Sequence, residues 1–183
     1  MDQGREREII KRLLDGDRQA FARLIDTYKR SVFNLAYRMT GSYQDADDLT
    51  QEIFIRVYWQ LPKFHQDKKF FTWLYTISLN QIRNHLKKKA RDILSWENGG
   101  KENVKNCPDE SNDPSGEETI QQLENLLLTL PVDLREAIIL KFNFDLTFEE
   151  MADMTGASVS ALKMRVYRGL DKLRNGLKME NNL

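Results

Sequence analysis

Residues 147–173, TFEEMADMTGASVSALKMRVYRGLDKL, decide the fold, because they read as two short helices joined by a tight turn. Thr147 is a good N-cap, and Glu150 three residues later completes a capping-box pattern. Phe148, Met151 and Ala152 then share one side of the first helix. Gly156 stands where the chain must turn sharply, since glycine tolerates positive φ. Ser158 or Ser160 can cap the second helix. Its apolar residues Val159, Leu162, Val166, Leu170 and Leu173 recur at three- and four-residue steps.

The opposite face of that second helix carries Lys163, Arg165, Arg168, Lys172 and Arg174. A helix–turn–helix lays its second helix in the DNA major groove, with N-terminal side chains on base edges and basic residues farther along on phosphates. The plainer alternative is a solvated face on an ordinary helical hairpin. Glycine at the turn and charge on one side favour DNA.

Working back from this segment, residues 119–130 form a helix with Ile120, Leu123, Leu126, Leu127 and Leu130 apolar. Pro131 takes a first-turn position of another helix, where Leu134, Ile138, Ile139 and Phe142 pack. Residues 119–183 are therefore expected to make a compact four-helix domain. Ahead of them, residues 95–118, SWENGGKENVKNCPDESNDPSGEE, hold Gly-Gly, two prolines and seven acidic residues against Lys101 and Lys105. That composition is too poor in apolar side chains to fold, and a flexible acidic linker is expected.

Residues 1–94 read as a second, all-helical domain. Residues 6–14 place Ile9, Ile10, Leu13 and Leu14 on one helical face, and Asp17 caps the next helix. The stripe Phe21, Leu24, Ile25, Tyr28, Val32, Leu35, Ala36 and Met39 runs on to Gly41. Ser42 with Asp45 opens a third helix, with Ala46, Leu49, Ile53, Val57 and Leu61 inward. A second face of that helix gathers Asp45, Asp47, Asp48, Gln51 and Glu52. Such carboxylates could bind a metal or act as acid and base. No His or Cys accompanies them, so docking of a basic protein partner is the better functional reading beside a merely solvated face.

Residues 64–71, FHQDKKFF, read as a loop, and residues 72–89 return to a helix with Leu74, Ile77 and Leu86 inward. Trp73, Tyr75, Thr76, Asn80, Arg83, Asn84 and Lys87 offer rings, amides and cations elsewhere. Aromatics among bases can hold unstacked nucleotides, at roughly 1–3 kcal/mol per stacked base. Each ring taken alone is more simply a core residue. His65 and His85 are distant and unaccompanied, poor metal ligands.

Charges balance at 28 basic and 28 acidic residues, so net charge says nothing about a nucleic-acid partner, but distribution does. Residues 61–94 hold eight basic side chains against Asp67 and Asp92. Such segmentation suggests several partners, each reading its own stretch. Cys107 is the single cysteine, so no intrachain disulfide forms, and it reads as an incidental thiol. No apolar run approaches the ~20 residues that span a bilayer, and the N-terminus lacks a signal peptide's apolar core. A soluble, cytoplasmic protein without direct membrane insertion is expected.

Across nearly its whole length the chain resembles a bacterial group IV sigma factor, the extracytoplasmic-function (ECF) type of the sigma-70 family. DADDLTQEIFIRVY (residues 45–58) is similar to that family's core-polymerase-binding segment. FFTWLYTISLNQIRNHLKKKAR (70–91) is similar to its promoter-melting and −10-reading segment. LPVDLREAIILKFNFDLTFEEMADMTGASVSALKMRVYRGLDKLR (130–174) resembles its −35-reading domain. The implied fold is all-α, with sigma region 2 in residues 1–94 and sigma region 4 with its helix–turn–helix in residues 119–183.

The resemblance also implies roles. Asp45, Asp47, Asp48, Gln51, Glu52 and Ile55 would dock on the β′ clamp of core RNA polymerase, with the β flap as a further contact. Phe64, His65, Lys68, Lys69, Phe71, Thr72, Trp73, Tyr75, Thr76, Asn80, Arg83, Asn84 and Lys87 would hold the opened −10 strand. A flipped base costs a few kcal/mol to extract, which pocket and phosphate contacts can offset. Ser158, Ser160, Ala161, Lys163, Met164, Arg165, Tyr167 and Arg168 would lie in or beside the −35 major groove. The linker would thread the polymerase's RNA-exit region. No cofactor, metal or catalytic residue is implied. The free protein is expected to be a monomer that binds DNA weakly, and an anti-sigma protein, membrane-anchored in many relatives, is a further expected partner.

Asn84 stands where the family usually has Asp, Lys87–Lys89 where Arg is commoner, and Ala161 and Met164 where Thr and Ser are more usual. Lysine lacks arginine's bidentate fork, so phosphate tethering is expected near Lys87. Two rival functions stand beside this reading. One is a free-standing helix–turn–helix regulator binding a palindrome as a dimer. The other is a metal-dependent enzyme on nucleic acid that uses the acidic cluster.

Overall fold

The structure, a computed structural model, describes residues 3–14, 16–65, 68–95 and 114–180. These residues form α1 (Gln3–Leu14), α2 (Arg18–Thr40), α3 (Tyr43–Gln60), α4 (Phe70–Ser95), α5 (Pro114–Thr129), α6 (Val132–Phe142), α7 (Phe148–Thr155) and α8 (Val159–Glu180). A single 3-10 turn, Leu61–Lys63, follows α3. Among the described residues there is no strand, in keeping with the helical reading of both halves of the sequence. The chain divides into two compact units, α1–α4 forming the bulk of the first and α5–α8 of the second.

Within the first unit the apolar stripes face inward. Leu24, Val32, Leu35 and Ala36 of α2, with Ala46, Leu49, Ile53 and Val57 of α3, are buried. Each large side chain so removed from water contributes about 1.5–3 kcal/mol of transfer free energy. Thr50 and Phe54 join them unforeseen, and the Thr50 hydroxyl is satisfied by the Ala46 carbonyl at 2.6 Å. Leu14, expected inside, is exposed, and Leu86 is only half-buried. Asp17 caps α2 as its sequence suggests, accepting from the N–H groups of Gln19 (2.9 Å) and Ala20 (3.3 Å). Tyr28 binds α1 to α2 by donating its hydroxyl to the Glu6 carboxylate. Burial, and then Glu6, push that phenol's pKa well above its ordinary value.

Two boundaries in this unit differ from expectation. Residues 64–71 are not all loop, since α4 begins at Phe70, and it runs on to Ser95 rather than ending at 89. Phe70 is almost wholly buried, and that burial holds the first turn of the helix against the core. The expected linker, 95–118, falls mostly outside the described residues, as does Cys107. Its end is corrected, because α5 starts at Pro114 rather than 119. Proline at a first helical position forfeits no intrahelical hydrogen bond.

In the second unit α8 packs on α5, α6 and α7. Leu134, Ile138, Ile139, Leu140, Met151, Met154, Leu162, Val166 and Leu173 are buried. Pro131 is the N-cap of α6 rather than a helical residue, and its carbonyl receives the N–H groups of Leu134 and Arg135, each at 3.0 Å. Phe142, expected to pack, is exposed at the last position of α6. Leu146 instead returns beneath the end of that helix, its N–H reaching the Leu140 carbonyl at 3.4 Å. Arg135 is buried and donates to the carbonyls of Leu128 (2.6 Å) and Leu130 (3.0 Å). A cation there satisfies acceptors that the end of α5 leaves open.

The turn between α7 and α8 has the expected chemistry. Thr147 accepts from the Glu150 N–H at 3.2 Å, and the Glu150 carboxylate accepts from the Thr147 N–H at 3.1 Å. Gly156 ends α7 at φ 72°, and its N–H reaches the Ala152 carbonyl. The choice between Ser158 and Ser160 falls on Ser158, whose hydroxyl accepts from the Ala161 N–H at 3.2 Å. Gly169 matters for closeness instead: a Cβ built there would stand 2.9 Å from Cγ1 of Ile138 on α6.

Candidate nucleic-acid and partner-binding faces

Three faces carry the residues singled out from the sequence. The first lies on α3. Asp48, Gln51, Glu52 and Ile55 are exposed there, and Asp47 is half-buried with its carboxylate accepting from the Gln51 amide at 2.9 Å. These residues share a face because α3 turns its opposite side, Ala46, Leu49, Ile53 and Val57, into the core.

Asp45 departs from that group. Its Oδ2 accepts from Lys89 Nζ at 3.1 Å and lies 3.4 Å from His85 Nε2, both on α4. Burial acts to raise its carboxyl pKa, but Lys89 and then His85 outweigh it and hold the group below its ordinary 3.8. Asp45 is therefore a tie between two helices rather than a free docking group. His85, expected to be unaccompanied, has Asp45 beside it. The sequence conceals this because 44 positions separate Lys89 from Asp45.

Beside the acidic face lies a groove of about 480 Å³, with apolar walls from Phe21, Ile25, Phe54 and Trp59, that Gln51 and Ile55 also line. Trp59, 73% exposed, went unnoticed in the sequence. The available signal was the step of four from Gln51 through Ile55 to Trp59, which places an apolar stripe next to the carboxylates.

The second face is on α4 and the loop before it. Here the structure separates the expected strand-binding residues. Phe64 is buried and packs edge-on against Phe70, ring centroids 5.5 Å apart, and tilted on Trp73 at 5.1 Å. Tyr75 is fully buried, and burial raises its phenol's pKa although a hydrogen bond with Ser31 acts the other way. Neither ring can stack on a base without leaving the core, so both assignments are corrected. His65, Lys68, Lys69, Asn80, Asn84 and Lys87 are exposed, and Phe71, Thr72, Trp73, Thr76 and Arg83 are half-buried. The Thr76 hydroxyl turns back to the Thr72 carbonyl at 2.8 Å, and Arg83 Nη1 reaches the Asn80 amide oxygen at 3.4 Å.

The third face is the outer side of α8. Ser160, Lys163, Met164, Tyr167 and Arg168 are exposed, Tyr167 at 65%, while Leu162 and Val166 between them are buried. Ala161 is half-buried, and the capping role of Ser158 orients its hydroxyl toward α8 itself. Two cations have intramolecular neighbours: Lys163 Nζ lies 5.7 Å from the Phe148 ring centre, and Arg165 Nε lies 3.6 Å from Asp133 Oδ2. Among the described residues no group of three or more His, Cys, Asp and Glu could hold a metal ion, and no helix is long and apolar enough to cross a membrane.

Known proteins share this arrangement. The family model described as Sigma-70 region 2 matches residues 24–92, and that described as Sigma-70, region 4 matches residues 120–173. The chain is similar to the ECF RNA polymerase sigma factor SigW of Bacillus subtilis, 34% identical over 177 residues that span 92% of this chain and 95% of that protein. It is also similar to the ECF RNA polymerase sigma-E factor of Escherichia coli, 31% identical over 177 residues and 91% of each chain. In fold it matches the sigma factor RpoE from Bartonella quintana, solved in complex with the anti-sigma factor NepR. The TM-score is 0.75 at 23% identity, over 86% of this chain and 96% of that one.

A free-standing regulator is excluded by these matches, since in this chain a region-2 match precedes the region-4 match and the likeness to sigma factors spans more than nine-tenths of the chain. The chain belongs to the sigma-70 family as an alternative sigma factor of the ECF type, which directs RNA polymerase in transcription initiation.

Proposed function

We propose that this sigma factor divides its work between its two units. The first, residues 1–94, docks on the β′ clamp of core polymerase through Asp47, Asp48, Gln51, Glu52 and Ile55, and holds the opened −10 strand along α4. The second, residues 119–183, reads the −35 duplex with the outer face of α8 and meets the β flap. What carries this reading is the pairing of an exposed acidic face on α3 with an exposed basic face on α8 in one chain. Opposite charges on separate elements suit two partners of opposite charge.

On the −10 face, the lysines and amides bind phosphates and sugar edges, and Trp73 with Phe71 supplies the ring surface. The Asn84 and Lys87–Lys89 departures favour phosphate tethering over base reading, because an ammonium is a point charge without a planar fork. On α8, Met164 and Ala161 are placed for a thymine methyl, Lys163 and Arg165 for base edges and Arg168 for a phosphate. The chain performs no catalytic step of its own. An anti-sigma protein covering both units in the cytoplasm, in some cases anchored to the membrane, is the natural regulator. Support for that partner is the likeness to a sigma factor solved with one.

In-vitro transcription tests the proposal: core polymerase plus this chain should start at discrete sites on genomic fragments, and mapping them yields shared −35 and −10 motifs. Starts no more discrete than with core polymerase alone would reject it.

A further inference from the structure

We infer that Asp133, on the first turn of α6, is a positioning residue that aims Arg165 at the −35 base edges. The inference rests on the proposal that α8 reads that element.

Asp133 is the second residue of α6 (Val132–Phe142), where the positive end of the helix dipole favours a carboxylate. Helix α8 packs on α6, and this brings Arg165 Nε to 3.6 Å from Asp133 Oδ2. The Arg165 side chain keeps 33% of its surface, against 69% for Arg174, whose carboxylate neighbour Asp171 lies on its own helix. Arg165 is thus held from a second element, whereas Arg174 is not.

A guanidinium presents five N–H donors in a planar fork. A carboxylate held beside Nε as an ion pair leaves the edge formed by the two terminal nitrogens for another acceptor, and that edge matches O6 and N7 of a guanine in the major groove. Without the carboxylate the long side chain samples several rotamers, and its reading of a base loses direction. An ion pair this exposed adds little to stability, so its effect falls on aim rather than on folding. Nothing in the motif around Arg165 signals this, because Asp133 lies 32 positions away (165 − 133).

The test uses holoenzyme assembled from core polymerase and the full chain, bound to promoter duplexes in which each −35 base pair is substituted in turn. Wild type is compared with Asp133→Asn, Asp133→Glu, Arg165→Ala and the double variant Asp133→Asn with Arg165→Ala. Asp133→Asn should lower discrimination about three- to tenfold at the single base pair that Arg165 reads and leave other positions unchanged. Asp133→Glu should retain most of it, and the double variant should be no worse than Arg165→Ala. Unchanged discrimination in Asp133→Asn beside a collapse in Arg165→Ala overturns the positioning role alone. Tighter binding by Asp133→Asn overturns it too, since the carboxylate would then compete with DNA, and so does a uniform loss at every position. If Arg165→Ala discriminates as wild type does, the proposed reading of α8 by Arg165 fails, and the inference fails with it.

Discussion

Helices α4 and α8 both carry residues proposed to meet DNA, yet they handle their side chains differently. On α8 the buried stripe, Leu162, Val166 and Leu173, lies opposite the exposed Lys163, Met164, Tyr167 and Arg168. On α4 the two sets interleave: Phe70, Leu74, Tyr75, Ile77, Leu79 and Ile82 are buried, while Trp73 and Thr76 among them are half-buried. On α8 the charge of the basic residues keeps them at the surface, since burying it without partners is costly. An aromatic ring serves a core or a base equally well, so only packing decides its place.

The sorting of rings on α4 gives the largest expected effect. Phe70→Ala should destabilise the first unit by about 3–5 kcal/mol, and Trp73→Ala by clearly less, measured by urea unfolding. Equal losses would break the distinction between core and surface rings. Next comes the acidic face, which should behave like the outer side of α8 in being separable from the fold. Asp47→Lys with Asp48→Lys should weaken core-polymerase affinity about tenfold or more while thermal unfolding stays unchanged; normal affinity would remove these residues from the docking face.

Smaller effects sharpen the comparison. Thr147→Ala should cost the second unit about 1 kcal/mol by removing the cap that starts α7, read in its melting temperature. The smallest effect concerns Asp45. Its folded pKa is lowered, so its contribution is complete above the ordinary 3.8 and is lost as pH falls through the lowered value. The difference in urea midpoint between wild type and Asp45→Asn should therefore shrink as pH drops from about 5 to about 3. A gap that stays constant would mean the Lys89 and His85 contacts contribute nothing through charge.

Much of the architecture was legible because its signals are local. The Thr147–Glu150 box, the glycine at 156 and the three-to-four stepping along α2, α3 and α8 each act within a few residues. What escaped depends on distant partners. Asp45 looked like part of an acidic face until α4 brought Lys89 and His85 to it. Tyr75 and Phe64 looked like stacking surfaces until Phe70 and Phe71 enclosed them. Arg135, which no local signal singled out, closes the end of α5. The candidate faces on α3 and α8 were readable in outline, and the apolar groove with Trp59 beside the former was not.

The contact at Gly169 sets how far α8 stands off its support. With Cγ1 of Ile138 at 2.9 Å and Cδ1 at 3.1 Å from where a methyl would sit, α8 rests nearly backbone to side chain on α6. An alanine there would act as a shim, tilting or lifting the helix by a few tenths of an ångström along its whole length. The stance of α8 is thus governed from its hidden side, where Gly169 meets Ile138 and Gly176 meets Leu126 of α5, its Cβ position 2.7 Å from Cδ2.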